Sequence, residues 1–94
     1  MKTEYQNTII LKLKSIRDER GYSQASIARL LGISPGQLGN IESCKQRHKY
    51  TLKQILLLCR EFDYPITDLF LFGKGQDNSV NSIVESIVRY EEGE

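Results

Sequence analysis

Apolar positions recur at helical spacing through most of this chain. In the first stretch, about Tyr5 to Arg20, Ile9, Leu13 and Ile16 form a stripe, with Ile10 beside it and lysines on the opposite face. Gly21 follows where a helix would end. Ser23 is placed to cap a second helix, Gln24 to Leu31, and Gly32 to stop it with a positive φ. Ser34 caps a third helix, which runs to about Ser43. Pro35 fits the first position of that helix, where no amide donor is required. Thr51-Leu52-Lys53-Gln54 has the capping-box pattern and opens a fourth helix, with Leu52, Ile55, Leu56, Cys59 and Phe62 on its apolar face. A short fifth helix is predicted near Pro65 to Leu71, and Gly73 to Asn78 has the composition of a linker. The last helix, about Ser79 to Glu91, places Val80, Ile83, Val84, Ile87 and Val88 at i, i+3, i+4, i+7 and i+8.

The fold expected is therefore all-α: five helices in one domain over residues 1–73, then a linker and a C-terminal helix over 74–94 as a candidate dimerisation element. The length of 94 residues suits one such domain with a short appendage. No apolar run approaches the roughly 18–20 residues of a membrane span. The opening MKTEYQNTII lacks the basic start, apolar block and small-residue cleavage site of a signal peptide, so a cytoplasmic location is expected. Cys44 and Cys59 stand far apart, outside any C-x-x-C or histidine-pair spacing, and predict neither a disulfide framework nor a metal site.

Charge is distributed unevenly. Residues 1–60 carry eleven Lys/Arg and four Asp/Glu, a local net of +7; residues 61–94 carry two and eight, a local net of −6. A basic working part and an acidic tail are implied. The stretch 44–50 alone holds Lys45, Arg47 and Lys49, with His48 among them.

Residues 24–43, QASIARLLGISPGQLGNIES, carry the most specific signal. Two helices that cross steeply over a tight turn need a small residue at their closest approach, a turn glycine and large apolar residues in the wedge. Ala28, Gly32, and the set Ile27, Leu31, Ile33, Leu38 and Ile41 meet those needs. The third helix is then left with an exposed face bearing Pro35, Gly36, Gln37 and Asn40.

Over about residues 9–71 the chain resembles the phage repressor and Cro-like (XRE) helix-turn-helix proteins, whose domain is of the lambda-repressor type. The resemblance rests on Arg17, Ser23-Gln24, Ala28, Leu31-Gly32-Ile33-Ser34, Ile41-Glu42, Lys45 and the closing Ile66-Thr67-Asp68-Leu69-Phe70. It implies a protein that binds double-stranded DNA. Gln37 and Asn40, with Pro35 and Gly36 beside them, match positions that meet base edges, and Gln and Asn amides have the geometry to pair with adenine N6 and N7. Gln24 matches a phosphate ligand at a helix N-terminus, where free amides already favour an anion. Ser34, Ser43, Lys45, Arg47, His48 and Lys49 are the other phosphate contacts implied or adjoining. Arg17 and Glu42 match a structural ion pair. Two features depart from the family pattern. Gly36 and Gly39 lie inside the recognition helix, each lowering helix propensity by about 1 kcal/mol against alanine. Cys44 stands where the family has a glycine after that helix.

The expected function is sequence-specific regulation of transcription, by a homodimer on a two-fold symmetric operator. The dimer would use Val80, Ile83, Val84, Ile87 and Val88; the alternative for the same stripe is that it folds back on its own domain. The competing reading is an antitoxin-like interaction module whose acidic C-terminal helix binds another protein. An enzyme is not expected: no glycine-rich phosphate loop, metal-ligand cluster or nucleophile with a paired base is present in the sequence. No cofactor, small-molecule ligand or membrane partner is implied.

Overall fold

The computed structural model describes residues 2–71 and 80–93. Six helices lie among the described residues: α1 Glu4–Glu19, α2 Gln24–Leu31, α3 Pro35–Glu42, α4 Leu52–Phe62, α5 Ile66–Leu71 and α6 Val80–Glu92. The fold is all-helical, a helix-turn-helix domain with a further C-terminal helix, as expected. The linker predicted at Gly73 to Asn78 lies outside the described residues.

Helix ends follow from local chemistry. Thr3, Ser34 and Thr51 each accept a hydrogen bond from the backbone N–H three residues on, and the Gln6, Gln37 and Gln54 side-chain oxygens accept one in turn from the capping residue's own N–H. Ser23 caps α2 through the Ser26 N–H. The first box starts α1 one residue earlier than the apolar stripe alone suggests.

Three helices end alike. The Tyr22 N–H reaches back to the Arg17 carbonyl, Ile33 to Ala28 and Tyr64 to Cys59, at 3.0, 2.9 and 2.9 Å. This ending needs one residue in the left-handed region. Gly21 and Gly32 supply it at φ 78° and 72°, and Asp63 supplies it after α4 at φ 51°. Asp tolerates that conformation better than most side chains.

The core joins Ile9, Ile10, Leu13 and Ile16 of α1 to Ile27 and Ala28 of α2, Leu38 and Ile41 of α3, Ile55, Leu58 and Phe62 of α4, and Leu69 and Phe70 of α5. Ala28 is buried between α2 and α3, which are packed together. Its single methyl group permits the close crossing.

The sixth helix packs back on α1 and α5. Its anchor is Tyr90, which is fully buried and edge-on to Phe70 at a ring separation of 6.0 Å. The Tyr90 hydroxyl donates to the Tyr50 carbonyl at 2.9 Å, and Gln6 donates to the Tyr90 carbonyl at 2.7 Å. Arg89 lies over the Tyr5 ring at 4.3 Å. Of the five apolar residues predicted to form a stripe, Ile87 packs against the domain core and Ile83 is half-buried. Val80, Val84 and Val88 are exposed. The two sets divide α6 into an inward face and an outward valine row at i, i+4 and i+8.

Candidate nucleic-acid interface

The turn Gly32-Ile33-Ser34 places the N-terminus of α3 at the surface. Pro35, Gly36, Gln37 and Asn40 are exposed along α3, while Leu38, Ile41 and Glu42 turn inward. The predicted base-reading residues thus share one outward face. Their polar groups are not equally free. The Gln37 Oε1 accepts from the Ser34 N–H at 2.8 Å, so one lone pair of its carbonyl is engaged in the helix cap, while its amide N–H groups are free. No hydrogen bond engages the Asn40 side chain among the described residues.

Neither glycine of this helix is required by the free protein. A Cβ on Gly39 would meet nothing within 4 Å, and one on Gly36 only the Ser34 hydroxyl at 3.9 Å. Both also lack a positive φ. The propensity they forfeit is not returned by any close packing inside the chain.

Behind the exposed face lies a buried polar relay. Glu42 accepts from Arg17 Nε and Nη2 at 2.8 and 3.0 Å, and from Gln24 Nε2 at 2.8 Å. The remaining Arg17 nitrogen donates to the Tyr22 carbonyl at 2.8 Å and lies 3.3 Å from Asp18. Burial alone would lower the Arg17 pKa; the hydrogen bonds and charge of Glu42 outweigh it and hold it above its ordinary value. The ion pair expected from the sequence is thus present, and it also holds Gln24. One N–H of the Gln24 amide is committed to Glu42, which fixes the plane of the group at the start of α2.

The loop after α3 gathers the predicted phosphate contacts. Cys44, Lys45, Gln46, Arg47 and His48 are exposed and Lys49 is half-buried. The chain leaves α3 through Ser43 in an extended conformation, φ −84° and ψ 126°. No left-handed residue is needed there, which accounts for Cys44 in place of a glycine. The Ser43 hydroxyl accepts from the Lys45 N–H at 3.2 Å. Lys49 donates to the Glu91 carbonyl of α6 at 3.2 Å and lies over the Tyr90 ring at 5.5 Å. Between this loop, α3 and the start of α4 runs a groove of about 250 Å³, lined by Gln37, Asn40, His48, Lys49, Thr51 and Gln54 over Ile33 and Ile41.

Lys2 is a residue that sequence reasoning missed. Its ammonium is buried and donates to the carbonyls of Ile41, Ser43 and His48, each at 2.8 Å. Burial lowers its pKa. Contacts spanning 39 to 46 residues leave no local signature, and a second-position lysine reads as a solvated terminus.

Two observations bound other readings. No group of three or more His, Cys, Asp or Glu among the described residues is arranged to hold a metal ion. No helix among them is long and apolar enough to cross a membrane.

Comparison with known proteins agrees with this geometry. No curated protein and no solved structure matches the chain significantly. A family model described as helix-turn-helix matches residues 13–69, more than half the chain. The match spans the packed α2–α3 pair, the exposed face of α3 and the basic loop that follows. The chain belongs to the helix-turn-helix family of phage repressor and Cro-like (XRE) proteins, and is a DNA-binding transcription regulator.

Proposed function

We propose that this regulator binds a specific, two-fold symmetric operator as a homodimer, with α3 of each copy in a major groove and half-sites about 34 Å apart. The observation that carries the reading is the single outward face of α3, where Gln37 and Asn40 are exposed beside a loop bearing Lys45, Arg47, His48 and Lys49. Asn40 and Gln37 read base edges, with Pro35 and Gly36 against the groove. Gln24 holds a phosphate with the N–H that Glu42 leaves free, next to the α2 N-terminus. Ser34, Ser43 and the loop cations hold the flanking backbone, supplying affinity without sequence information. The protein acts without catalysis, from the cytoplasm.

Dimerisation uses the outward row Val80, Val84 and Val88, with Ile83 at its edge; Ile87 serves the intramolecular contact instead. Three valines fall well short of the roughly 800 Å² per partner of a standard interface. The dimer is therefore expected to form chiefly on the operator, where DNA holds the two copies together. The exposed row also motivates the second reading, an acidic helix that binds another protein.

Selection of bound duplexes from a random pool tests the whole proposal, since it returns the half-site, the spacing and the symmetry together. Enrichment of an inverted repeat supports it. Enrichment of a single asymmetric site would refute the homodimer, and no binding even at low salt would remove the function. Asn40→Ala should weaken the selected site by about 1–3 kcal/mol and relax one or two base positions.

A further inference from the structure

The buried ammonium of Lys2 has a purpose that the base and phosphate contacts do not absorb. It joins three carbonyls that belong to different parts of the interface. Ile41 lies in the last turn of α3, Ser43 is its C-cap, and His48 lies at the far side of the basic loop. Each distance is 2.8 Å, the length of a charge-assisted hydrogen bond. A helix C-terminus carries partial negative charge on its unpaired carbonyls, and α3 has no basic residue of its own in its last turn. Lys2 supplies that charge from 39 positions away. It also ties the two ends of the segment 43–48 to one point, so that Lys45 and Arg47 project from a closed loop.

We propose that Lys2 is a positioning residue for DNA-phosphate binding. It holds the loop 43–48 closed against the end of the recognition helix and does not itself meet the DNA. This inference rests on the assignment of that loop to the DNA backbone. At 7% exposure, with three acceptors already taken, the ammonium has no donor left to offer a phosphate. Its contribution is to spare the loop the entropy of ordering when DNA arrives.

Lys2→Met keeps the apolar stem and removes the charge. The variant is compared with the native chain at a temperature where melting shows both folded, on one non-specific duplex across several salt concentrations. Native binding is measured first; its absence would remove the underlying phosphate assignment together with this inference. Given native binding, Lys2→Met should bind about ten-fold more weakly, and the slope of log affinity against log salt should fall by about 1–2, although Lys2 is buried. Lys45→Ala should lower the native slope by about 0.9 but change little more in the Lys2→Met background. Native affinity and slope in folded Lys2→Met, or fully additive effects of the two substitutions, would overturn the proposal. A second measurement needs no variant. In the native chain the Lys2 side-chain NH3 resonance should be slowly exchanging and hold its position on adding duplex, while the Lys45 NH3 and Arg47 guanidinium N–H resonances move. A Lys2 resonance that shifts as far as theirs would show direct contact and refute the positioning role.

Discussion

Glu42→Ala should destabilise this protein far beyond the roughly ±0.5 kcal/mol typical of surface substitutions. The Glu42 side chain is only 3% exposed and accepts three hydrogen bonds, two from Arg17 and one from Gln24. Alanine leaves the Arg17 guanidinium, itself 9% exposed, with the Tyr22 carbonyl and a longer approach to Asp18 as its remaining partners. Breaking a buried pair from one side costs about 3–5 kcal/mol, because the surviving charge stays desolvated. A domain of 94 residues has about 5–14 kcal/mol in total. The single variant should therefore lose between about a fifth and nearly all of its stability. Arg17→Met with Glu42→Leu removes both charges and refills the space, and should cost only about 1 kcal/mol. Urea unfolding of the native chain, Arg17→Met, Glu42→Leu and the double variant gives the coupling directly, beside Glu42→Ala for the charge left unpaired. If the singles each cost under about 1 kcal/mol, or if the double costs their sum, the buried Arg17–Glu42 pair does not hold the domain together.

Three further outcomes are expected. Gly39→Ala should raise stability by about 1 kcal/mol, and Gly36→Ala should do the same while weakening duplex binding, since that residue lies on the outward face; unchanged or tighter binding by Gly36→Ala would show that DNA does not approach its backbone. Stability should fall as pH rises above about 9. Burial pushes the Cys59 thiol up to about 11 and raises the Tyr50 and Tyr90 hydroxyls, so the unfolded chain releases these protons first, at up to about 1.4 kcal/mol per pH unit for each group; Lys2, lowered by burial, works in the opposite sense. Melting from pH 8 to 11 should show this decline, flatter in Tyr90→Phe, and a midpoint that holds steady would contradict it. Removal of residues 80–94 should lower the melting midpoint by exposing the site of Tyr90, and should lower the apparent mass in sedimentation of the operator complex; an unchanged mass would remove α6 from the dimer contact.

The elements that local chemistry defines were readable from the chain. Ser23, Ser34 and Pro35, Gly32, and the Thr51 to Gln54 box act within a turn of where they stand, so α2, α3 and α4 start where the sequence implies. The Thr3 to Gln6 box is legible by the same pattern. Other features depend on which distant surfaces meet. The stripe on α6 identifies an apolar helix but not which of its residues turn inward. Tyr90, whose aromatic ring and hydroxyl both find partners, decides that, and it is not part of the stripe. Lys2 is invisible for the same reason. For Gln37, position alone predicts a free amide, whereas the box with Ser34 claims its carbonyl.

Under the proposed function, that last contact narrows what α3 would read. Adenine is matched by an amide that both accepts from N6 and donates to N7. Gln37 in its capped state has its carbonyl held toward Ser34 and its N–H groups free, which suit acceptors: guanine O6 or N7, adenine N7 or thymine O4. Pairing with adenine through both groups would release the Ser34 N–H and give up the side-chain half of the cap, worth about 1 kcal/mol. That is comparable to the gain from one good base contact, about 1–3 kcal/mol. Asn40, exposed and unengaged, pays no such cost. Discrimination for adenine should therefore centre on Asn40, with Gln37 preferring a purine N7 without strong choice between guanine and adenine. A half-site read by one firm and one permissive contact would carry little information, and the homodimer proposed above would supply what a single copy lacks.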